Sequence, residues 1–463
     1  MAKLWNKGYE LDSVIERFTV GRDHLLDRRL IAADAVAGIA HARMLATIGI
    51  LTDGEADRLS LSLVTIAAEG EAGTFDVPRS DEDGHTAIEA RLTEELGELG
   101  KKIHTGRSRN DQVLASTRLY AREAILRIRG ALHGTVETLL DFAERESDTP
   151  MPGRTHLQPA MPSTVGLWAG SYAELLLDDD LLLSTPYELL NRSPLGAAAG
   201  YGVPLPLDRE LVSDLLGFKS VHHNVIAVNN SRGKIEAALI DALDQVGLSL
   251  GRFAEDMILF SMPEFGYFTL PQELCSGSSI MPQKRNPDGM ELVRGRAGVL
   301  SALSAWTKNI VRGLPSGYNR DVQETKEPMM RALDMTLEML GVVTRTAGSV
   351  SVNRERLSGS FTAELLATDE VFKRVQAGTS FRDAYREVAG ELESLSKNST
   401  DPAEVIGRRT STGTPGNLDL EPVRAELEQR RGECEAEQAR VSEAVAALAG
   451  RTISLYSPAR DDE

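Results

Sequence analysis

The sequence predicts an all-α protein whose centre is a bundle of long helices, and three observations predict it. Ile235, Leu239, Ala242, Val246, Leu250, Phe253, Met257 and Phe260 recur at gaps of three or four residues, one apolar stripe along about seven helical turns. Comparable stripes run through Ile125, Ile128, Leu132, Val136 and Leu139, through Val165, Trp168, Tyr172 and Leu175, and through Leu333, Leu337 and Leu340. Strand-like alternation between these runs is sparse, so the stripes must bury against one another.

With the segment Leu292 to Ile310, the periodic runs predict five long helices between residues of about 110 and 350. The first 105 residues read as shorter helices, among them Ile31 to Ile50 and Asp57 to Glu69. A smaller helical region follows from residue 358 and is interrupted by the turn-forming cluster Thr410-Ser-Thr-Gly-Thr-Pro-Gly-Asn. The last long run, Glu421 to Leu448, is dense in Glu and Arg with sparse apolar positions and is expected to be a solvated helix. Three helical domains are therefore expected, at 1–105, 106–357 and 358–463.

Of 463 residues, 41% are hydrophobic and 26% charged, enough apolar content to bury a sizeable core. Asp and Glu outnumber Lys and Arg by 69 to 51, a net charge of −18, which argues against nucleic acid as a partner. A small anionic substrate stays open, because a local positive site can sit in a negative protein. The amino terminus, Met1-Ala-Lys-Leu-Trp-Asn-Lys-Gly, lacks the apolar run of a signal peptide, and no stretch reads as the roughly 18 apolar residues of a membrane span. Only Cys275 and Cys434 are present, so neither a disulfide framework nor a Cys-based metal motif is expected, and a cytoplasmic setting follows as the default.

Four segments carry chemistry. Ser276-Gly-Ser-Ser-Ile-Met-Pro-Gln-Lys-Arg-Asn-Pro-Asp brings a mobile glycine, hydroxyls, the Lys284 ammonium and the Asn286 amide together, a set suited to closing over a small carboxylate. Thr105-Gly-Arg-Ser-Arg-Asn-Asp-Gln stands before a long helix, where N–H groups and the positive dipole end favour an anion. Carboxylate binding by Ser108, Arg109 and Asn110 competes there with plain capping by Asn110 or Asp111 and two solvated arginines. Gly153-Arg-Thr-His-Leu-Gln-Pro-Ala-Met-Pro places His156 in a Pro-flanked turn, where a histidine serves structure about as often as catalysis. Leu314-Pro-Ser-Gly-Tyr-Asn-Arg-Asp-Val-Gln-Glu-Thr-Lys-Glu reads either as a binding segment or as an entry loop before a helix.

Gly277-Ser-Ser-Ile-Met-Pro-Gln-Lys-Arg-Asn-Pro resembles the signature loop of the fumarase/aspartase superfamily of lyases, and the segments at 105 and 153 resemble its other shared regions. The form of the 105 segment is similar to that of argininosuccinate lyases, a likeness that runs from Phe18-Thr-Val-Gly through Asp83-Gly-His to Phe381-Arg-Asp-Ala-Tyr. The resemblance implies reversible elimination of fumarate from argininosuccinate to leave arginine, in a homotetramer whose central bundle joins the long helices of four subunits. It assigns the base to Ser278, stabilisation of the aci-carboxylate to Lys284 and Asn286, proton delivery to His156 and its orientation to Glu291. It places Ser108, Arg109, Asn110 and Thr155 on the substrate, Tyr318, Gln323 and Lys326 at its amino-acid end, and His85 in support. From the residues alone a serine is a poor base, so Ser278 needs an alkoxide stabilised by Lys284, by backbone N–H groups or by a helix N-terminus.

Two departures bear on the substrate. Many argininosuccinate lyases carry a serine and an asparagine where this chain has Phe18-Thr-Val-Gly21, and an acidic Asp-Ala-Val-Ser-Asp-Arg stretch where it has Ala227-Val-Asn-Asn-Ser-Arg-Gly-Lys. They motivate one alternative to the main reading, elimination from another N-substituted aspartate such as an aminopolycarboxylate; a crystallin-like structural role is a separate alternative, against which the retention of Ser278, Lys284, Asn286 and His156 speaks. No His/Cys/carboxylate set at metal spacing and no phosphate or dinucleotide loop occurs, so no cofactor and no metal is implied.

Overall fold

The computed structural model describes residues 12–392 and 401–459; the amino-terminal reading from Met1 to Gly8 lies outside the described residues. The first core element is α1 (Ile31–Thr47), which stops short of Ile50 because Gly49 takes φ +76°. It packs on α2 (Asp53–Ala72). That helix starts four residues before the predicted Asp57, because Thr52 and Glu55 close a reciprocal capping box, with Thr52 N donating to Glu55 Oε2 at 2.9 Å. After α3 (Gly84–Leu96) come the five long helices, as predicted: α4 (Arg109–Arg145), α5 (Val165–Leu190), α6 (Lys234–Ser261), α7 (Asp288–Val311) and α8 (Lys326–Ser349).

All eight residues of the Ile235–Phe260 stripe are buried, and α6 lies against α5, α7 and α8 in one continuous core. Trp168 anchors it, ringed by Phe142, Tyr172, Phe253, Phe260 and Phe268, and its Nε1 donates to Asp256 Oδ2 at 2.8 Å, so the one polar atom of the indole is matched. One predicted stripe position faces outward instead: Leu175 is exposed, with Leu176 buried beside it. A second core surrounds α1, α2 and α3 and includes Ala115 and Leu119 of α4, which ties the amino-terminal helices to the bundle.

Helix α1 and the turns before it correct the membrane reading. Asp23–Thr47 is long and apolar enough to span a membrane by length and composition, yet 83% of its apolar 18-residue window is buried inside the fold. It is Ala-rich and apolar all round because it is packed on all sides. The carboxyl-terminal region contributes α9 (Ala367–Gln376), α10 (Phe381–Gly390) and α11 (Glu421–Ala449). Helix α11 is not simply solvated. Leu427, Cys434, Val441, Val445 and Leu448 are buried against α4 and α1, because apolar positions seven residues apart stay on one face however sparse they are. The outer face keeps the Glu/Arg pairs, such as Glu426–Arg430 at 2.5 Å.

Between α4 and α5 lies an antiparallel hairpin, β1 (Pro150–Thr155) and β2 (Gln158–Thr164), in place of the irregular turn expected there. Its two-residue tip is His156–Leu157, both at positive φ, +53° and +61°. Such tips normally take Asn or Gly.

Candidate active site

The segment before α4 has a local cause. Ser108 is the N-cap: its Oγ accepts from Asn110 N at 3.3 Å, while Asp111 Oδ1 accepts from Ser108 N at 3.0 Å. The cap is therefore Ser108 with Asp111, and neither arginine simply points into solvent. Arg109 Nη1 lies 3.0 Å from Glu82 Oε2 and 3.3 Å from Asp83 Oδ2, and its Nη2 donates to Thr86 Oγ1 at 2.9 Å. Arg107 turns inward beside Asp34, Asp111 and Glu89, with its Nε buried and unpartnered; burial lowers its pKa.

These residues form one wall of a cavity of about 460 Å³. The facing wall comes from the segment before α8 and from the helical turns Asp23–Leu26 and Asp27–Leu30. Lys326 Nζ sits 2.6 Å from Asp27 Oδ1 and 2.8 Å from Asp23 Oδ1, with Lys326 and Asp27 almost wholly buried. Burial opposes the Lys326 charge, but the two carboxylates outweigh it and raise its pKa. Burial likewise pushes the Asp27 carboxyl up, and Lys326 with His85 more than reverses this, leaving it below its usual range. His85 Nδ1 lies 2.6 Å from Asp34 Oδ2; against the burial penalty, that carboxylate raises the imidazole pKa. Gln323 Nε2 and Arg320 Nη2 both donate to Thr19 O, at 3.2 and 2.7 Å, so Phe18–Gly21 meets this wall through its backbone.

Seven of the residues singled out in the sequence therefore line one cavity: His85, Ser108, Arg109, Asn110, Tyr318, Gln323 and Lys326. The remaining ones lie elsewhere in the chain. Lys284, Asn286 and Glu291 line a separate cavity of about 370 Å³ with Arg285 and Cys275. The loop that carries them is pinched at its neck, Ser276 N donating to Asn286 O at 3.1 Å and Asn286 N to Ser276 O at 2.9 Å. Ser278 Oγ accepts from Ile280 N at 3.4 Å and Met281 N at 3.3 Å, the backbone N–H donors that a serine alkoxide needs. Thr155 and His156 are exposed at the hairpin tip. Among the described residues His156 makes no side-chain hydrogen bond or ion pair, with Glu291 or with any other group. Two consecutive non-glycine residues at positive φ cost of order 1–3 kcal/mol each, the kind of strain that collects at functional sites.

A family profile described as "Lyase" matches residues 9–301. An argininosuccinate lyase of Sorangium cellulosum is 45% identical over 427 residues, covering 92% of this chain and 99% of that one, and an argininosuccinate lyase of Thermotoga neapolitana is 43% identical over 84% and 97%. The chain belongs to the argininosuccinate lyase family. Among solved structures, an EDDS lyase in complex with formate superposes with a TM-score of 0.80 at 24% identity, covering 96% of this chain and 95% of that one. A class II fumarase from Schistosoma mansoni superposes with a TM-score of 0.72 at 15% identity, covering 90% and 94%. These likenesses establish the shared all-α fold of this lyase superfamily.

Within that family frame, the departures at Gly21 and Asn229 take on a definite place. Neither lines the cavity. Asn229 is buried, its Nδ2 in the space a Cβ on Gly200 would need, and Gly21 offers only backbone near Gln323. Sequence reasoning missed Asp23, Asp27, Glu82, His104, Arg232 and Arg320, all on the cavity wall. A usable signal was present for the first two: Arg22-Asp-His-Leu-Leu-Asp-Arg-Arg sets charges directly against the apolar run of α1.

Proposed function

We propose that this protein is an argininosuccinate lyase that eliminates fumarate from argininosuccinate and leaves arginine. The observation that carries the reading is 45% identity to the Sorangium cellulosum argininosuccinate lyase over 92% of this chain. Ser278 takes a proton from the carbon beside a carboxylate, and Lys284 with Asn286 holds the aci-carboxylate that forms. The C–N bond then breaks, its electron pair stays on nitrogen, and His156, oriented by Glu291, supplies that nitrogen with a proton. The two backbone N–H groups at Ser278 Oγ support its role as base. Ser108, Arg109, Asn110 and Thr155 bind a substrate carboxylate, and Tyr318, Gln323 and Lys326 the amino-acid end, with His85 in support.

The Ser278 loop, the hairpin tip and the cavity of about 460 Å³ are three separate places in one chain. We take this as support for a homotetramer in which neighbouring subunits complete each site, built on the bundle between boundaries near residues 105 and 357. The test is the ultraviolet appearance of fumarate on mixing purified protein with argininosuccinate, beside Ser278→Ala and a panel of other N-substituted aspartates. Fumarate from argininosuccinate, lost in the variant, is expected. Fumarate only from another panel member would move the substrate, and none from any would end the reading.

A further inference from the structure

His85 and Arg107 line not only the cavity of about 460 Å³ but also a second one of about 10 Å³, set among α1, α2, α3 and the start of α4. Asp34 of α1, Glu89 of α3 and Gln112 of α4 complete its polar lining. Gly38, also on this wall, gives up helix propensity inside α1 and keeps the space open: a Cβ there would stand 3.3 Å from both Leu63 methyl carbons and 3.9 Å from Arg107 Nη1.

Three buried side-chain atoms of these residues have no hydrogen-bond partner among the described residues: His85 Nε2, Arg107 Nε and Gln112 Oε1. Buried polar atoms left unmatched are costly, and these three belong to residues around one small space. A cavity of roughly 10–15 Å³ on this measure takes one water, which needs two to four polar partners. The donors and acceptors balance. Arg107 Nε donates, Gln112 Oε1 accepts, and His85 Nε2 does either according to its proton, so one water meets all three in both cases.

The position of this space matters for the segment that precedes α4. That segment is held directly at its start, where His41 Nε2 donates to Thr105 O at 2.9 Å. Two residues on, the Arg107 side chain makes no hydrogen bond among the described residues, although its charge lies near Asp34, Asp111 and Glu89. Long-range attraction draws a guanidinium inward without fixing its direction, whereas hydrogen bonds fix it.

We propose that the small cavity holds one structural water bridging His85, Arg107 and Gln112, and that Gln112 is through it a positioning residue for Ser108, Arg109 and Asn110. The positioning role rests on the lyase reading above; the water does not.

The first test is a crystal structure of the intact protein at a resolution that orders internal water. One peak within hydrogen-bonding reach of all three atoms is expected; a dry cavity, or the three side chains bonded directly to one another, overturns the inference whether or not the protein turns over argininosuccinate. The second compares Gln112→Leu, which removes the acceptor, with Gln112→Glu, which keeps one. The leucine variant should lose the water and let the 108–110 segment shift, and its KM for argininosuccinate should rise roughly tenfold with kcat little changed, while the glutamate variant keeps the water and most of the wild-type KM. An unshifted segment, an unchanged KM, or equal defects in both variants would mark Gln112 as packing alone and overturn its positioning role. A bridging water with a shifted segment in the leucine variant, in a protein that releases no fumarate, would instead count against the lyase reading alone.

Discussion

His222 Nδ1 accepts from the buried Arg118 Nη2 at 3.2 Å, an arrangement that only the neutral imidazole can make. Burial first, and Arg118 second, push its pKa down to about 4; at His104 burial and Arg107 do the same, also to about 4. Unfolded histidine takes its proton near pH ~6.5, so these groups contribute stability that is fully present above that pH and is lost as pH falls from about 6.5 toward 4. His85, whose pKa is raised by Asp34, works in the opposite sense: its contribution is present below about pH 6.5 and fades as pH rises through its folded value. The thermal midpoint of the protein should fall between pH 7 and pH 4.5, and His222→Asn, which keeps an acceptor but no titrating ring, should fall less steeply. Parallel curves for the two proteins would mean that the proton is taken up elsewhere. None of this was visible in the sequence, because it depends on which arginine the fold lays against which ring.

The entry to α6 shows how a single backbone position supports an element. Gly233 has φ +79°, and a Cβ there would stand 2.2 Å from Val311 Cγ1 at the end of α7 and 3.1 Å from Thr325 Cγ2. Gly233→Ala should cost about 2–4 kcal/mol from the combined steric and backbone strain, read from denaturant midpoints. Adding Val311→Ala should recover the steric part only; full recovery would show that the left-handed conformation costs nothing here. At this scale the long helices were legible, since stripes spaced by three and four residues leave no other way to bury them. The hairpin was not. Pro150, Pro152, Pro159 and Pro162 argue against strands, and β1 with β2 tolerates them because this two-stranded ribbon has an open edge on each strand. Helix α11 was misjudged for the reverse reason: its buried positions are too few to raise a strong periodic signal.

For the whole molecule, the decisive feature is that residues with complementary roles lie apart within one chain, with Ser278 on an exposed loop, His156 on a hairpin tip and Lys326 at a cavity floor. If neighbouring subunits complete each site, Ser278→Ala and His156→Gln proteins should each be inactive alone. Assemblies reconstituted from both should regain fumarate release, because some sites then draw both wild-type residues. A hybrid as inactive as its parents would mean that one chain builds its own site. The same logic predicts that a variant held as a monomer is inactive.

Sequence alone determined the helical class, the five long helices and the family. Helical periodicity and a long contiguous motif are local patterns, and folding does not alter them. It also named seven of the residues that line the cavity between α4 and α8. Tertiary structure decided what brings those seven together: Asp23 and Asp27 on Lys326, and Glu82 and Asp83 on Arg109. Charge pairing across 299 residues of chain, as between Asp27 and Lys326, leaves no mark on local sequence, because it is set by which surfaces the cores bring face to face.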